Sequence, residues 1–417
     1  MVQPRIARMT RIMVCAFVQI RVIRGFLNCT YGTIFMLIPR QMQRISVLIK
    51  PVGSFCNLKC DYCFYLEKHC LYEGSPAKHR MTDETAEKII RDMFACSDAP
   101  TFVWHGGEPA LAGLNFFMKI VAFQRFYAKG RPYFNAVQTN ATLLNEDWAR
   151  FFKDENFLVG ISLDGPEHVH DRYRKDHLGN GTFQTVSEKA GMLLKSGVQV
   201  NALATVNSYS VKYPDEIYRF FKKNGFVFMQ FNPVVEQDPD NPDLAAPYSV
   251  EAGDYGVFLS HVFHLWIKDF DFKRLRQKTS VRFFDALIQK YVGMTPDHCI
   301  FHKTCGKSPV VEHNGDIFSC DYLVSADTCI GNIHEMSLAE ALRSRSHAAF
   351  AQRKNDLGTE CRNCQWSDLC YGGCIKDRIR DPRDKGRNRF CKSYQFFFKQ
   401  ADSDLKKFAK LYKEHYL

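Results

Sequence analysis

The sequence predicts an α/β protein, a partial (β/α)6 barrel followed by a cysteine-rich region. From about residue 45 to 236, short β-branched or aromatic runs alternate with longer amphipathic stretches, which is the pattern of βα units around a parallel sheet. Six strands and five intervening helices fit this part, whereas cysteines become dense between Cys299 and Cys391. A doubly wound open sheet is the structural alternative.

The individual elements follow from the same alternation. The predicted strands are Ser46–Lys50, Thr101–His105, Tyr133–Thr139, Phe157–Leu163, Val198–Val206 and Phe226–Phe231. The helices predicted between them cover 83–95, 114–128, 146–153, 183–196 and 212–224. Thr82 and Asn145 precede the first and third of these helices and are expected to be their N-caps. Further helices are expected near 251–269, 281–292 and 393–415.

Composition and spacing divide the chain into five expected segments. They are an N-terminal extension (1–41), the partial barrel (42–240), a helical linker region (241–298), a cysteine-rich domain (299–392) and a C-terminal helix (393–417). The extension is expected to be disordered or to be upstream sequence before a start at Met42. Its apolar stretch, 25–39, is shorter than the ~20 residues of a membrane helix.

The net charge of +11 does not indicate a nucleic-acid or membrane partner. Residues 1–40 contain six arginines and no acidic residue, and without them 50 basic residues face 45 acidic ones. Lys and Glu then alternate along the helices as on a solvated surface, and no basic stripe is present. The sixteen cysteines indicate thiolates on metal more than disulfides, since no secretory signal is recognisable.

The first cysteine motif, Cys56-x3-Cys60-x2-Cys63, lies directly after the first predicted strand. The carboxyl ends of parallel strands carry the functional loops of such sheets. Three thiolates on one loop can ligate three irons of a cubane and leave the fourth iron open to another ligand. A structural zinc site, completed by His69 or Cys70, is the alternative.

A second motif, Trp104-His-Gly-Gly-Glu-Pro109, follows the second predicted strand. Gly106 and Gly107 allow the backbone to approach a ligand closely. Alone, a Gly-Gly pair is usually only a turn. Its position one strand after the three cysteines supports a binding role.

The C-terminal cysteines are too dense for a role in packing alone. They are Cys299, Cys305, Cys320, Cys361, Cys364, Cys370, Cys374 and Cys391. Eight thiolates divide into two four-thiolate sites, which two zinc ions or two iron–sulfur clusters would satisfy. Spacing alone does not assign each cysteine to a site. Cys15, Cys29, Cys70, Cys96 and Cys329 are treated as ordinary residues.

The run Cys56-Asn-Leu-Lys-Cys60-Asp-Tyr-Cys63 resembles the CxxxCxxC signature of radical S-adenosylmethionine (SAM) enzymes, and the Gly-Gly-Glu-Pro segment resembles their SAM-binding turn. The C-terminal cysteines resemble the SPASM extension, which carries two auxiliary [4Fe–4S] clusters. The resemblance implies a SAM-binding [4Fe–4S] cluster on Cys56, Cys60 and Cys63. For the auxiliary clusters it implies two ligand sets: Cys299, Cys305, Cys320 and Cys374, and Cys361, Cys364, Cys370 and Cys391.

Within that superfamily the sequence is most similar to anaerobic sulfatase-maturating enzymes. Matching stretches include Leu48-Ile-Lys-Pro51, Gln138-Thr-Asn-Ala-Thr142 and Ile161-Ser-Leu-Asp-Gly-Pro166. Such enzymes convert an active-site Cys or Ser of a sulfatase to Cα-formylglycine, after the 5′-deoxyadenosyl radical abstracts a hydrogen from Cβ. The resemblance implies a sulfatase polypeptide as substrate, an electron donor such as flavodoxin or ferredoxin, and a cytoplasmic location.

Site residues carry over position by position. The implied SAM-binding residues are Tyr65, Gly106, Gly107, Glu108, Ser162, Arg174 and Val235. The implied general base is Asp321, although an Asp there is also a common turn residue. The implied substrate contacts are His105, Gln138, Thr139 and Asn140. His105 departs from the Gln that is common in the family, and this leaves substrate choice open. A maturase of ribosomal peptides that forms thioether or cyclophane crosslinks is therefore the second hypothesis, and a non-catalytic zinc-binding protein is the third.

Overall fold

A mixed sheet of ten strands forms the centre of the protein in the computed structural model, which describes residues 44–72, 79–238, 240–241, 243–271, 277–379 and 387–416. The first six strands lie side by side in chain order, and every neighbouring pair is parallel. This order is that of the predicted partial barrel, since a doubly wound sheet would reverse its strand order.

The parallel strands agree with the predicted ones. They are β1 (Ser46–Ile49), β2 (Thr101–Trp104), β3 (Phe134–Thr139), β4 (Leu158–Ser162), β5 (Gln199–Val206) and β6 (Phe228–Pro233). Buried and half-buried residues alternate along β5, because successive side chains point to opposite faces of the sheet.

Five helices connect these strands, and each overlaps its predicted range. They are α1 (Asp83–Cys96), α2 (Leu114–Ala128), α3 (Glu146–Asp154), α4 (Phe183–Lys195) and α5 (Pro214–Lys223). Both predicted N-caps are confirmed. The Thr82 hydroxyl accepts a hydrogen bond from the Thr85 amide, and the Asn145 side chain accepts one from the Trp148 amide.

Four short strands that the sequence did not predict extend the sheet at both ends. They are β7 (Ser280–Val281), β8 (Val310–Val311), β9 (Asp316–Phe318) and β10 (Cys329–Asn332). Strand β7 joins β6, and β8 joins β1 in parallel, with β9 and β10 added as antiparallel neighbours. Strands of two or three residues carry no readable alternation, and the four residues of β10, Cys-Ile-Gly-Asn, are poor in β-branched and aromatic side chains. The cysteine-rich region therefore continues the same sheet as the barrel.

The remaining helices cover the C-terminal half. They are α6 (Asp254–Lys268), α7 (Arg282–Val292), α8 (Leu338–Arg343), α9 (Arg345–Gln352) and α10 (Cys391–Tyr416). Four-residue helices lie at Glu167–His170, Thr359–Arg362, Ser367–Cys370 and Lys376–Ile379. Helix α10 packs on α6 and α7, where the Phe397 ring centroid lies 5.6 Å from that of Phe263 and 5.7 Å from that of Phe284. This aromatic contact anchors the end of the chain to the sheet's helical layer.

The expected N-terminal extension, residues 1–41, lies outside the described residues, as do Cys15 and Cys29. Within the described ranges, no helix combines the length and the apolar character needed to cross a bilayer.

Candidate active site

The loop that follows β1 places Cys56, Cys60 and Cys63 at the carboxyl edge of the parallel strands. The segment after β4 holds this loop, because the Lys59 and Asp61 amides donate to the carbonyls of Lys175 and Tyr173. The Leu58 amide and the Asn140 side chain both direct N–H groups at Cys56 Sγ, at 3.4 and 3.6 Å. Such donors stabilise a thiolate, which supports a role for Cys56 as a metal ligand.

The turn after β2 packs directly against this cysteine loop. The Gly107 and Glu108 amides donate to the carbonyls of Gly53 and Phe55 at 2.8 and 2.7 Å. A Cβ added to Gly107 would lie 1.9 Å from the Phe55 carbonyl oxygen, so only glycine fits here. Gly106 has a φ of 126°, which also favours glycine.

Glu108 is fully buried and its carboxylate serves the protein itself. It accepts hydrogen bonds from the Thr139 hydroxyl (2.7 Å), the Asn140 amide (2.7 Å) and the Ala110 amide (2.9 Å). Burial raises the pKa of Glu108 to about 7, against the effect of these bonds. The carboxylate thus ties the end of β3 to the turn after β2.

The other residues predicted at this edge end neighbouring strands. Gln138 Nε2 donates to Ser162 Oγ at 3.0 Å, across β3 and β4. Asn140 donates to Asn57 at 2.9 Å, and both Thr139 and Asn140 are buried. Val235 follows β6 and is completely buried. Gln138 and Ser162 thus contact each other across two strands, and Asn140 contacts the cysteine loop.

Arg174 lies in a buried network beside Cys60. Its Nε lies 3.0 Å from Asp164 Oδ1, and its guanidinium lies 5.4 Å from the centre of the Tyr62 ring. Tyr62 donates to the other Asp164 oxygen at 2.5 Å. Burial opposes the charge of Arg174, but Asp164, Tyr62 and Cys60 together outweigh burial and raise the Arg174 pKa. The guanidinium is therefore a fixed positive charge next to the cysteine loop.

Asp321 follows Cys320 and meets Lys50 at the end of β1. Lys50 Nζ lies 2.5 Å from Asp321 Oδ1 and 2.7 Å from His105 Nδ1. Lys50 is completely buried, whereas the side chains of Asp321 and His105 are 14% and 23% exposed. One ammonium group thus holds a carboxylate and an imidazole that both reach an open surface.

The ionisation of these groups is set by their neighbours. Burial acts to raise the pKa of Asp321, but Lys50 and His105 outweigh burial and lower it. Burial, together with Lys50, lowers the pKa of His105 to about 4. At neutral pH the site therefore presents an ionised Asp321 and a neutral His105.

Aromatic residues of the cysteine loop connect it to the C-terminal region. The Tyr65 hydroxyl donates to buried Glu312, and Lys50 lies 4.6 Å from the centre of the Tyr65 ring. The ring centroid of Phe64 lies 4.8 Å from that of Tyr322, beside Asp321. The cysteine loop after β1 and the C-terminal region are therefore in direct contact.

Charge effects among the thiols place the eleven predicted ligands in three groups. Burial and Glu108 raise the pKa of Cys56 to about 12, with further contributions from Cys60 and Cys63. Burial raises the pKa of Cys60 to about 11, and Cys63 adds to that rise. These three sulfurs therefore lie close enough to repel one another as thiolates.

The C-terminal thiols separate in the same way. Burial raises the pKa of Cys320 to about 12, with help from Cys299 and Cys305, and that of Cys374, with help from Cys320 and Cys299. In the other group, burial and the thiolates of Cys361, Cys370 and Cys364 raise the pKa of Cys391 to about 11. A cavity next to α10 is lined by this second group.

These groups suit iron–sulfur clusters. Clustered buried thiols keep their protons until a metal compensates the charge. Within the described residues, no three His, Cys, Asp or Glu side chains converge on the position of a single ion. A tetrahedral zinc needs sulfurs about 3.8 Å apart, from a Zn–S distance of about 2.3 Å. In a cubane each thiolate binds a different iron, which needs wider spacing. The donor chemistry of these thiols, three on the loop after β1 and four in each C-terminal group, suits cubane clusters.

Sequence interpretation missed three residues of this site: Lys50, Asp164 and Glu312. All three are charged and at most 1% exposed. Lys50 ends one predicted strand and Asp164 directly follows another. A charged residue at the carboxyl end of a buried strand was the available signal for these two. Glu312 follows β8, which was itself not predicted.

Comparison with known proteins agrees with this geometry. Residues 51–222 match the model of the radical SAM superfamily, and residues 302–365 match that of an iron–sulfur cluster-binding domain, SPASM. A serine-type anaerobic sulfatase-maturating enzyme of Bacteroides thetaiotaomicron is 38% identical over 86% of this chain and 89% of its own length. A cysteine-type enzyme of Clostridium novyi is 37% identical over 90% of this chain and 100% of its own.

A solved structure gives the same result. Native anSMEcpe with bound AdoMet and Cp18Cys peptide superimposes with a TM-score of 0.78 at 35% identity, covering 88% of this chain and 99% of that one. Identity and coverage at this level do not favour the alternative of a ribosomal-peptide maturase. The chain therefore belongs to the anaerobic sulfatase-maturating enzymes of the radical SAM superfamily.

Proposed function

We propose that this enzyme oxidises a Cys or Ser side chain of a sulfatase polypeptide to Cα-formylglycine. The observation that carries the proposal is the position of Asp321, which lies beside Cys320, is ionised by Lys50, and remains partly exposed. Both serine-type and cysteine-type enzymes are among the relatives. The proposal therefore includes both target residues.

Asp321 acts as the general base for the substrate thiol or hydroxyl. A carboxylate that stays ionised at neutral pH can accept this proton as the Cβ–H bond is broken. Lys50 Nζ contacts Asp321 Oδ1 at 2.5 Å. The other carboxylate oxygen, Oδ2, faces His105 and lies 3.9 Å from its Nδ1. Proton removal leaves electron density on the substrate sulfur or oxygen, which favours formation of the thioaldehyde or aldehyde. Water then hydrolyses the thioaldehyde and releases hydrogen sulfide.

His105 orients the substrate. Its neutral imidazole has Nδ1 beside Lys50, and its Nε2 can donate a hydrogen bond to a peptide carbonyl, as the amide of Gln would. Gln138 is the second proposed substrate contact. Its amide nitrogen bonds Ser162, and this fixes the orientation of the side chain.

The residues proposed to bind SAM are Tyr65, Gly106, Gly107, Ser162, Arg174 and Val235. Gly107 supports this role through its close backbone contact with the cysteine loop, which places the turn directly beside the proposed cluster. Arg174 supplies a fixed positive charge for a carboxylate. Glu108, Thr139 and Asn140 use their polar atoms on one another and on the cysteine loop. We propose positioning roles for these three in place of the cofactor and substrate contacts that the sequence suggested.

Three [4Fe–4S] clusters complete the proposed cofactor set, on the three cysteine groups described above. When bound, the clusters and SAM supply the radical that takes hydrogen from the substrate Cβ and the acceptor for the remaining electron. A flavodoxin or ferredoxin is the proposed electron donor. Eleven of the sixteen cysteines are proposed cluster ligands, and because thiolate ligands persist in a reducing compartment, we propose the cytoplasm.

The test uses two peptides that contain Cys-x-Pro-x-Arg or Ser-x-Pro-x-Arg and are otherwise identical. The enzyme is reconstituted anaerobically and incubated with SAM and a reductant. We expect 5′-deoxyadenosine, the mass loss of formylglycine formation, and a product that reacts with a hydrazide. Cleavage of SAM without any change in either peptide would contradict the proposed substrate. A mass loss without hydrazide reactivity would favour a crosslinking maturase.

A further inference from the structure

Two buried cations, Lys354 and Arg378, lie between the two C-terminal cysteine groups. Lys354 is 1% exposed and Arg378 is 8% exposed. Isolated buried charges are costly and are usually paired with an opposite charge. Their hydrogen bonds run instead to main-chain carbonyls of the cysteine loops. Within the described residues, no hydrogen bond of either side chain goes to a carboxylate, which leaves the nearby cysteine thiolates to compensate the two positive charges.

Lys354 binds the loop that carries Cys299. This cysteine belongs to the first auxiliary group, which consists of Cys299, Cys305, Cys320 and Cys374. Lys354 Nζ donates to the Cys299 carbonyl at 3.1 Å and to the Ile300 carbonyl at 2.8 Å. Burial lowers the pKa of Lys354, whereas Cys305, Cys299 and Cys374 raise it. The ammonium group thus lies within electrostatic reach of three of the four thiols in this group.

Arg378 holds the loop between Cys370 and Cys374 and connects it to Lys354. Its guanidinium donates to the carbonyls of Gly372 (3.1 Å), Tyr371 (3.0 Å), Asp356 (3.0 Å) and Lys354 (3.0 Å). A Cβ added to Gly372 would lie 2.5 Å from the guanidinium. The loop and the arginine are therefore fitted to each other.

Arg378 interacts electrostatically with thiols of both C-terminal cysteine groups. Burial lowers its pKa, and four thiols raise it: Cys361 and Cys370 of one group, and Cys305 and Cys374 of the other. An iron–sulfur cluster with four thiolates carries net negative charge, and its reduction potential depends on nearby charge and hydrogen bonds. Low dielectric surroundings strengthen this effect.

We propose that Lys354 and Arg378 form a cationic bridge that raises the reduction potentials of both auxiliary clusters and thereby lets them accept the substrate's electron. This inference rests on the proposed function, because it requires both auxiliary clusters. The two residues are positioning residues, since they touch the ligand loops and not the reacting atoms. Lys354 serves mainly the first cluster, and Arg378 serves both.

The test compares neutral and charge-retaining variants of the reconstituted, full-length enzyme. Lys354→Met and Arg378→Gln remove charge, and Lys354→Arg and Arg378→Lys keep it. Arg345→Gln is the matched control, because Arg345 is an exposed cation of α9 in the same part of the chain. Midpoint potentials are measured by redox titration followed by electron paramagnetic resonance, together with iron content.

We expect Lys354→Met to shift the first auxiliary cluster to a more negative potential, and Arg378→Gln to shift both. Arg345→Gln and the charge-retaining variants should keep the wild-type potentials. Unchanged potentials in fully loaded Lys354→Met and Arg378→Gln would overturn the inference. If Arg378→Gln loses iron, the potential of Lys354→Met alone is the test, and an unchanged potential in that variant would overturn the inference. A wild-type enzyme with fewer than three clusters would instead contradict the proposed function and this inference together.

Discussion

The two cysteine-rich regions of this enzyme are assembled in different ways. Cys56, Cys60 and Cys63 share one loop after β1, and the loop's own Leu58 and the ends of β2 and β3 supply the N–H groups around it. The C-terminal groups instead draw their thiols from distant points between Cys299 and Cys391, and buried cations join their loops. A short loop suffices to hold a cluster open to a cofactor. Two closed clusters need a folded scaffold around them.

The sharpest test of this contrast removes one ligand from each region. Cys60→Ala should reduce SAM cleavage and peptide oxidation to background, because the loop offers no spare thiol. Cys374→Ala should retain SAM cleavage and lose peptide oxidation. Both products, 5′-deoxyadenosine and formylglycine peptide, are quantified by mass spectrometry. The control is Cys329→Ala, an exposed thiol outside the three groups. Equal loss of SAM cleavage in both ligand variants would remove the distinction.

The next largest effect concerns the contact between the regions. Asp321→Asn should slow formylglycine formation by about 10²–10⁴-fold, the range for loss of a general base. SAM cleavage should persist, because Asp321 belongs to the C-terminal side of the site. Single-turnover assays of both products measure this difference. Asp327→Asn, on an exposed position nearby, should behave as the wild type. Full product formation by Asp321→Asn would exclude its role as base.

The pH dependence of stability tests the burial of His105, which contacts Lys50 between the two regions. Its pKa is about 4 in the folded enzyme and about 6.5 in an unfolded chain, so below that upper value the unfolded chain binds more protons. Acid therefore destabilises the fold through His105 as the pH falls from about 6.5 to 4, by up to about 3 kcal/mol. His105→Gln should lose less stability over this range, as measured by denaturant unfolding at each pH. Parallel curves for the two proteins would show that His105 is not buried in neutral form.

The smallest predicted effect concerns the fit between the β2 turn and the cysteine loop. Gly107→Ala should lower the free energy of unfolding by about 1–3 kcal/mol, the usual cost of overpacking. It should also weaken SAM binding, because the Phe55 carbonyl must move. Gly191→Ala is the control, since Gly191 lies in α4 with open space around it. That change should stabilise the protein by up to about 1 kcal/mol. Equal melting curves for both variants would contradict the close packing.

Much of the barrel was predictable because its elements are long enough to carry a pattern. The six parallel strands and five helices show alternation and amphipathicity, and Thr82 and Asn145 are capping residues whose effect is local. Strands β7 to β10 were not predicted. They exist because edges of the central sheet accept them, as when the Lys50 amide donates to the Val311 carbonyl.

The sequence by itself determined the chemistry of this enzyme. Three closely spaced cysteines, a Gly-Gly turn one strand later and eight further cysteines are chemical facts that need no fold to be recognised. The tertiary structure decided which groups act together. The pairing of β8 with β1 brings the C-terminal region alongside Lys50, and folding places Arg378 near thiols of both C-terminal groups. Contacts between residues hundreds of positions apart depend on packing in three dimensions, which local sequence patterns do not contain.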